Sequence, residues 1–148
     1  MDITFLPATA EDFESLLALR IAAMRESLER IGRFDPERAR ARFAAGFVAA
    51  ATRHVVVDGL RVGFVVSKRE AAHVLLDHLY IDPAQQRRGI GAAVLAQVFA
   101  EADALLLPVR VGALRGSEAN RFYQRHGFVL VEQAEFDNYY LRAFKAPT

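Results

Sequence analysis

The sequence of 148 residues contains no cysteine. This absence excludes a disulfide scaffold, a zinc site built from thiolates and a cysteine nucleophile, and it excludes thiol redox chemistry as well. A chain without cysteine is also compatible with a reducing compartment. We therefore expect a cytoplasmic protein that relies on other side chains for any chemistry.

The chain also has little net charge and no long hydrophobic run. Its 19 Lys and Arg residues and 18 Asp and Glu residues leave a charge of +1 at pH 7, too small to attract the whole protein to nucleic acid or to a membrane. The longest apolar run, residues 44–51, is far below the roughly 18 to 20 residues of a membrane-spanning helix. Asp2 and Glu11 flank a short apolar patch, which is unlike a signal peptide. We expect no nucleic-acid partner and no membrane partner.

The chain does have enough apolar side chains for one core. Hydrophobic residues make up 53% of it, and its length suits a single domain over residues 1–148 better than two domains. Periodicity predicts strands over residues 3–6, 54–57, 60–67, 74–81, 105–111, 128–132 and 138–144. Helices are predicted from Thr9 to before Gly32, from Asp35-Pro36 onward, and over residues 89–103 and 117–125. The order β-α-α-β-β-β-α-β-α-β-β predicts an α/β fold with a mixed sheet.

Local patterns predict how some of these strands pair. Asp58-Gly59 separates two strands and is a strong hairpin signal, so those strands should be antiparallel. The nearly continuous apolar pattern of residues 74–81 predicts a strand that is covered on both faces. Strand, helix and strand over residues 74–111 predict a right-handed crossover with parallel strands. Pro108 predicts an irregular or edge-like pairing of the last of these strands.

Residues 86–91 read Gln-Arg-Arg-Gly-Ile-Gly and lie between a predicted strand and an amphipathic helix. The start of a helix offers unpaired N–H groups and a partial positive charge, which bind phosphate oxygens where the backbone can approach closely. Gly89 and Gly91 permit that approach. Arg87 and Arg88 add positive charge beside it, and the Gln86 amide can fix the turn. The segment predicts an anion site, and a glycine-containing turn with solvated arginines is the alternative.

Other phosphate-binding and nucleic-acid-binding patterns fit less well. The sequence has no Gly-Lys-Ser/Thr triplet, so the P-loop of nucleoside triphosphatases is excluded. The dinucleotide fingerprint requires a third glycine where Val94 stands. Arg38, Arg40 and Arg42 are spaced so that they spread around a helix, which disfavours a nucleic-acid-binding domain.

Two segments resemble the motifs of one enzyme family. Residues 79–91, Leu-Tyr-Ile-Asp-Pro-Ala-Gln-Gln-Arg-Arg-Gly-Ile-Gly, are similar to motif A of the Gcn5-related N-acetyltransferases (GNAT), whose core pattern is Gln/Arg-x-x-Gly-x-Gly/Ala. Residues 119–128, Ala-Asn-Arg-Phe-Tyr-Gln-Arg-His-Gly-Phe, are similar to motif B, Ala-x-x-Phe-Tyr-x-x-x-Gly-Phe. The predicted order of elements also matches this family along essentially the whole chain. The resemblance implies a GNAT-like acyl-CoA N-acyltransferase fold.

The resemblance also implies a site for acyl-coenzyme A, with acetyl-CoA as the acyl donor and no metal. In the family the pantetheine arm pairs with backbone groups of the strand before motif A, and the pyrophosphate lies on amides that correspond to residues 87–91 here. The cofactor-binding residues implied in this way are Leu79, Tyr80, Ile81, Gln86, Arg87, Arg88, Gly89, Ile90 and Gly91.

Two positions depart from the family pattern. Glycine is frequent in the family where Arg87 stands, and the arginine adds charge near the phosphates. Asparagine often begins the motif B helix where Gly116 stands. Ser117 can cap this helix instead, and Asn120, one turn before the motif B tyrosine, is the residue that could reach the cofactor arm.

Tyr123 is the catalytic candidate that the resemblance implies. When an amine attacks a thioester, the leaving thiolate needs a proton or a hydrogen bond, and a phenol beside the sulfur can supply it; a tyrosine that only packs is the alternative. The amine must arrive uncharged, so a general base is expected. Asp77 shares its strand face with Leu79, which would partly desolvate its carboxylate. His78 faces the other way and is the second candidate, and water is the third.

These observations lead to one function hypothesis and one alternative. The first is an N-acetyltransferase that moves acetyl from acetyl-CoA to a primary amine by direct attack in a ternary complex, since a chain without cysteine cannot form an acyl-cysteine intermediate. The alternative is a module of the same fold that binds acyl-CoA without turnover. In the family, the first two helices and the last hairpin set the acceptor, here residues 24–35 and 132–139. We expect a small-molecule or peptide amine as acceptor, and a monomer or homodimer.

Overall fold

The computed structural model describes residues 1–147 and has the mixed α/β class that the sequence predicts. The strands are β1 (Ile3–Pro7), β2 (Thr52–Val57), β3 (Leu60–Arg69), β4 (Val74–Ile81), β5 (Val109–Leu114), β6 (Val129–Gln133) and β7 (Asp137–Arg142), and the sheet order is β1-β2-β3-β4-β5-β7-β6. The α-helices are α1 (Phe13–Arg30), α2 (Pro36–Gly46), α3 (Ile90–Ala104) and α4 (Ala119–Arg125). Among residues 1–147, no helix combines the length and the apolar character of a membrane span.

The chain forms two compact units. The first comprises Met1–Val66 and His78–Gly91, and the second comprises Ser67–Asp77 and the residues from Ala92 onward. Strands β3 and β4 and helix α3 therefore contribute residues to both units. The expectation of a single domain over residues 1–148 stays a prediction.

Strands β1 and β2 and most of β3 form an antiparallel ladder in the first unit. β1 pairs with β2 along its whole length, and β2 pairs with β3. The turn between β2 and β3 is Asp58-Gly59, with φ angles of 49° and 85°. Two left-handed residues are what a two-residue hairpin turn of type I′ requires, so the predicted hairpin is confirmed.

The starts of α1 and α2 carry the predicted caps. Thr9 and Asp12 form a capping box in which the Thr9 N–H donates to the Asp12 carboxylate at 2.8 Å, and a short 3-10 helix leads into α1. The Asp35 carboxylate accepts from the N–H of Glu37 at 3.0 Å, and Pro36 occupies the first turn of α2. Local hydrogen bonds therefore set where both helices begin.

Phe43 lies at the centre of the core of the first unit. It is 2% exposed and packs in a buried cluster formed by Ala8, Leu16, Leu17, Phe64 and Val66. Its ring centroid lies 5.4 Å from that of Phe13, 5.7 Å from that of Phe47 and 5.9 Å from that of Phe64. Burying one such phenylalanine contributes about 1.5 to 3 kcal/mol, so this cluster anchors both α1 and α2 to β3.

In the second unit β4 and β5 are parallel, as the crossover rule predicts. Val74–Leu76 of β4 pair with Val109–Val111 of β5. β5 also pairs with β7, and β7 pairs with β6, both in antiparallel order. Helix α3 buries its Val94, Leu95 and Val98 side chains. These strands and α3 thus form the core of the second unit, which also contains α4.

Arg142 joins β7 to α3. Its guanidinium contacts the Asp103 carboxylate at 2.6 and 3.3 Å and lies 4.1 Å from the ring centroid of Phe99. The hydrogen bonds from Arg142 hold the pKa of Asp103 below its ordinary value. The pair gives the 7% exposed arginine the partner that a buried cation requires.

The prediction of a strand over residues 105–111 is wrong in its first half, because β5 begins only at Val109. The three leucines before it, at positions 105–107, follow directly after α3 and close its end. Leu107 N–H donates to the Ala102 carbonyl at 3.0 Å, and Leu106 has a left-handed φ of 56°, as in a helix C-cap. Pro108 therefore lies before the strand and disturbs no ladder. Apolar character alone does not distinguish a short strand from a helix end.

The prediction that β4 is covered on both faces is also wrong for part of the strand. Val74, Leu76 and Ile81 are buried, but Leu75 and residues 77–80 are only half-buried. An apolar pattern shows which residues tolerate burial, and it does not guarantee that another element covers them. Smaller differences are that α4 begins at residue 119 and β7 ends at residue 142, each two residues inside the predicted bounds.

Candidate functional site

The carboxyl half of β4 brings two predicted site residues into an aromatic cluster of the first unit. The His78 ring centroid lies 5.4 Å from that of Phe43 and 5.6 Å from that of Tyr80. The Tyr80 ring also packs on Phe64 at 5.6 Å. His78 is half-buried among these rings, so its imidazole has a defined position on the face of β4 that meets the core.

The backbone of β4 is held against β3 by close contact. Asp82 N–H donates to the Val62 carbonyl at 2.8 Å. A Cβ on Gly63 would overlap the carbonyl oxygen of Tyr80, so only glycine permits this approach. Because successive N–H groups of a strand point to opposite edges, Leu79 and Ile81 direct theirs to the edge that faces away from β3.

The loop after β4 folds back onto the end of the strand. The Asp82 carboxylate accepts from Ala84 N–H at 3.0 Å and starts a single 3-10 turn over Pro83–Gln85. The Gln86 side-chain amide then donates to the Ile81 carbonyl at 3.0 Å. The predicted turn-fixing bond of Gln86 is therefore present, and it sets the direction in which the chain enters α3.

Two left-handed residues shape the entry to α3. Arg87 has φ of 67° and Gly89 has φ of 77°. Left-handed residues in such a turn can aim successive N–H groups into a concavity that accepts an anion. Arg88 stands between them, and its guanidinium donates to the Gln85 side chain. Both arginine side chains are exposed, so the loop combines an ordered turn with two cations that solvent can reach.

Helix α3 begins directly after this loop. Ile90 is its first residue and is 2% exposed, which anchors the start of the helix, and Gly91 is half-buried. The helix runs for 15 residues, long enough to develop the partial positive charge of a helix N-terminus. Residues 86–91 thus form a turn with two left-handed residues directly before a helix, and the anion site stays a prediction.

Tyr123 is a buried residue of α4 in the second unit. It is 6% exposed, and its ring centroid lies 5.3 Å from that of Phe128, 5.5 Å from that of Phe122 and 6.5 Å from that of Tyr140. The Tyr123 carbonyl accepts from the N–H of Phe128 at 3.1 Å, which closes the helix end. The ring is therefore held by aromatic neighbours on several sides.

Asn120, one turn earlier on α4, uses its side chain within the protein. Its Oδ1 accepts from the Tyr140 hydroxyl at 2.7 Å and from the Asn138 amide at 2.9 Å. Its Nδ2 donates to the carbonyls of Leu114 at 2.8 Å and Ser117 at 2.9 Å. The predicted contact of Asn120 with a cofactor would have to compete with these four bonds.

Asp77 lies in the second unit and is engaged by a cation. Its Oδ2 is 3.0 Å from Lys68 Nζ, and the two side chains are 31% and 24% exposed. Asp77 is therefore partly desolvated, as predicted. Lys68 stands on the neighbouring strand β3, and sequence reasoning missed it because strand register has to be known before cross-strand pairs can be named.

Several of the charged side chains predicted to set the acceptor have partners within the protein. On α1, Arg25 contacts Glu29 at 2.6 Å and Arg30 contacts Glu26 at 3.3 Å, both as exposed pairs one turn apart. On the last hairpin, Glu132 lies 3.7 Å from Arg110. Exposed ion pairs of this kind contribute little stability and exchange partners easily, so they do not identify the acceptor.

The Tyr139 ring lies over a glycine of β5. A Cβ on Gly112 would come within 3.0 Å of the ring, and the Arg110 guanidinium stands 5.1 Å from the ring centroid. Gly112 and Tyr139 are also direct partners in the β5–β7 ladder. Sequence reasoning selected Tyr139 as a candidate, but nothing in the sequence indicates that its ring packs on Gly112.

The predicted site residues are thus divided between the two units. His78, the backbone of residues 79–81 and the loop of residues 86–91 belong to the first unit. Asp77, Asn120 and Tyr123 belong to the second. The left-handed Arg87 and the bonds of Asn120 are the features that sequence reasoning missed, although the frequency of glycine at position 87 in related sequences is a signal for the first.

Comparison with protein families identifies the class. A family model described as an acetyltransferase (GNAT) domain matches residues 45–130, more than half of the chain. The chain therefore belongs to the GNAT acetyltransferase family, as the two motifs predict. A comparison with curated protein sequences gives no match.

Solved structures with the same fold include three acetyltransferases. PaiA N-acetyltransferase from Thermoplasma acidophilum, in complex with coenzyme A, has a TM-score of 0.78 at 17% identity, with 97% of this chain and 100% of that chain covered. An acetyltransferase from Thermus thermophilus has a TM-score of 0.74 at 21% identity, covering 97% and 98%. The histone acetyltransferase HPA2 and related acetyltransferase from Corynebacterium glutamicum has a TM-score of 0.71 at 22% identity, covering 100% and 99%. At these identities the likeness establishes the fold alone.

Proposed function

We propose that this protein is an N-acetyltransferase that moves acetyl from acetyl-CoA to a primary amine by direct attack in a ternary complex. The observation that carries the proposal is the loop of residues 86–91, where two left-handed residues and two exposed arginines precede a 15-residue helix. Such a loop suits the pyrophosphate of a coenzyme. Family membership supports the reaction class.

The donor would be bound mainly by backbone groups. The amides of residues 87–91 would hold the pyrophosphate, with charge from Arg87 and Arg88. The N–H groups of Leu79 and Ile81, which point away from β3, would pair with the pantetheine arm. The ladder between β4 and β5 covers only Val74–Leu76 of β4, which supports a role for the rest of the strand in binding.

Tyr123 would act at the leaving group. The amine nitrogen attacks the thioester carbonyl, the C–N bond forms and the C–S bond breaks, and the phenol gives its proton to the departing thiolate. The products are an N-acetylated amine and free coenzyme A. Burial among Phe122, Phe128 and Tyr140 would keep the hydroxyl in one orientation.

The proton that the amine nitrogen loses needs an acceptor. Asp77 and His78 are the candidates, acting directly or through water. Asp77 forms an ion pair with Lys68. To act as the base, the carboxylate would either leave this pair or accept the proton while Lys68 holds it in position. The acceptor would be a small-molecule or peptide amine, and the protein would work as a monomer or homodimer.

The test is a panel of primary amines incubated with acetyl-CoA and the purified protein. The panel contains spermidine, free amino acids, an aminoglycoside and peptides with free N-termini, and free coenzyme A is measured with a thiol reagent. The absence of protein cysteines keeps the background low. We expect turnover with at least one class of amine.

Tyr123→Phe is the matched control for the panel. It should lower turnover by about a hundredfold or more, the usual size of general acid catalysis, while acetyl-CoA still binds. Binding of acetyl-CoA without release of coenzyme A for any amine would contradict the proposal and favour a binding module of the same fold.

A further inference from the structure

The side chain of Asn120 connects three elements of the second unit. It stands near the start of α4, its Nδ2 donates to the Leu114 carbonyl at the end of β5, and its Oδ1 accepts from the hydroxyl of Tyr140 on β7. Asn138, also on β7, donates to the same oxygen at 2.9 Å. One amide therefore fixes the first turn of α4 against two strands.

The same contacts reach the ring of Tyr123. Tyr140 is 2% exposed, its hydroxyl is bonded to Asn120, and its ring packs on that of Tyr123 at 6.5 Å. Tyr123 also follows Asn120 by one turn on α4, so the two side chains lie on the same side of the helix. Asn120 thus acts on Tyr123 by two routes, through the helix and through the Tyr140 ring.

The half-buried Asn120 amide is bonded through both its oxygen and its nitrogen. Replacing Asn120 would leave the buried hydroxyl of Tyr140 without its acceptor, and such a group rearranges to recover a hydrogen bond. The Leu114 carbonyl would lose one bond and keep those from the Ser117 N–H and hydroxyl. Such a rearrangement would shift the start of α4 against β5 and β7, the strands to which Asn120 is bonded. The ring next in line on the helix is that of Tyr123.

We propose that Asn120 is a positioning residue that sets the place of the Tyr123 hydroxyl through its bonds to Tyr140 and Leu114, and that it does not bind the cofactor. The proposal rests on the proposed function, because it assigns Asn120 a role in the acid step. It replaces the contact with the cofactor arm that the sequence suggests, since the amide already has four partners.

The test is a double-mutant cycle on the full-length protein. Steady-state kinetics with acetyl-CoA and the panel amine of highest turnover are measured for Asn120→Ala, Tyr123→Phe and the double variant. We expect Asn120→Ala to lower kcat by about tenfold to a hundredfold, the loss that a misplacement of about 1 Å produces. The KM for acetyl-CoA should change by less than about twofold, because the interaction is made in the transition state.

The second half of the cycle separates positioning from general damage. In the Tyr123→Phe background, Asn120→Ala should lower kcat by less than about twofold, because the group that it positions is gone. An equal loss in both backgrounds would overturn the proposal. A rise in the KM for acetyl-CoA with unchanged kcat would overturn it too, and would restore a direct cofactor contact.

Two further variants keep the test decisive. Gln124→Ala removes an exposed amide from the same helix and should leave kcat unchanged. Tyr140→Phe keeps the ring and removes only the hydroxyl bonded to Asn120, so it should reproduce the kinetic pattern of Asn120→Ala even if the alanine variant folds poorly. A Tyr140→Phe protein with wild-type kcat would count against the proposal.

Failure of the proposed function can be told apart from failure of this inference. A wild-type protein inactive with every amine refutes the first, and the position of Tyr123 is then followed by ¹⁹F NMR with 3-fluorotyrosine. The chain has 4 tyrosines, and the signal missing in Tyr123→Phe identifies the ring. Asn120→Ala should shift or broaden that signal, and an unchanged signal would overturn the inference.

Discussion

Arg87 carries two features that oppose each other at the scale of one residue. Its left-handed backbone, with φ of 67°, costs a residue with a Cβ roughly 1 to 2 kcal/mol. Its guanidinium places a positive charge beside the start of α3. Glycine would relieve the backbone and lose the charge, so stability does not explain the arginine, whereas the proposed anion site would.

Arg87→Gly should therefore make the protein more stable and weaken its binding of acetyl-CoA. The expected gain is up to about 1.5 kcal/mol, the left-handed cost of roughly 1 to 2 kcal/mol less the roughly 0.5 to 1 kcal/mol of entropy that glycine adds to the unfolded chain. Urea unfolding measures the free energy, and calorimetry measures binding.

Arg88→Gly is the matched control for this comparison, because Arg88 is the exposed neighbour and its φ is not positive. It should lose stability by about 0.5 to 1 kcal/mol from the added entropy of the unfolded chain, together with the small contribution of its exposed hydrogen bond to Gln85. Equal destabilisation by both glycines would contradict the role of the left-handed backbone at position 87.

At the scale of elements, hydrogen bonds and ion pairs decide how the helices meet the strands. Asp12 stands at the start of α1, accepts from Thr9 N–H at 2.8 Å and lies 3.0 Å from Nε2 of the buried His54 on β2. The Arg61 guanidinium of β3 lies 3.3 Å away. The bond with His54 first, and the Thr9 N–H second, lower the pKa of Asp12 from 3.8 to about 2.

The lowered pKa of Asp12 predicts a loss of stability in acid. Because the folded pKa lies below the ordinary value, the carboxylate stabilises the fold above about pH 4, and this contribution disappears as the pH falls toward about 2. Asp12→Asn should be less stable than wild type near neutral pH, and the difference should shrink between about pH 4 and pH 2. Urea unfolding across this range measures it.

Glu11→Gln is the control for the acid series, since Glu11 is the exposed neighbour of Asp12 in the same short 3-10 helix. Its difference from wild type should stay small at every pH. A gap between wild type and Asp12→Asn that remains constant down to about pH 2 would show that the bond to His54 does not depend on the charge of Asp12.

At the scale of the whole molecule, the charges nearly cancel, so a charged ligand would be attracted only by local groups of charges. The net charge is +1, so no long-range field draws an anionic cofactor to the protein. Under the proposed function, the attraction would come from Arg87, Arg88 and the start of α3. Salt screens the interactions of exposed charges, and at physiological ionic strength little attraction remains beyond a Debye length of about 8 Å.

Acetyl-CoA should therefore raise the melting temperature of the protein in a salt-dependent way. At a concentration about one hundred times its Kd, it should add about 2.7 kcal/mol to the free energy of unfolding. Differential scanning calorimetry at low and high sodium chloride measures the shift. S-acetylpantetheine, which lacks the phosphates, should give a smaller shift that salt hardly changes, and no shift with acetyl-CoA would argue against the loop as its site.

Elements defined by local bonds could be predicted closely. The capping residues Thr9 and Asp35 and the Asp58-Gly59 turn each act through neighbours in sequence, and all three appear as expected. The end of α3 is different, because Leu106 takes a left-handed conformation that favours glycine. A leucine at that position carries no signal in the sequence.

For the candidate site, the sequence names residues whose roles stay predictions. The motifs name the loop of residues 86–91 and Tyr123, because a phosphate-binding turn and a helix with a tyrosine have short local patterns. The bonds of Asn120 to Tyr140 and of Asp77 to Lys68 join residues on different elements. Cross-element pairs depend on register and helix packing, which no local pattern encodes.

The sequence by itself determined the GNAT family, the α/β order of elements and the loop of residues 86–91, since each depends on residues close together along the chain. The absence of cysteine likewise excluded a covalent cysteine route without any coordinates. Only the tertiary structure decided that Arg87 is left-handed and that Asn120 is bonded within the protein. Backbone angles and buried hydrogen bonds arise from packing between distant segments, where the free energy of the whole fold overrides local preference.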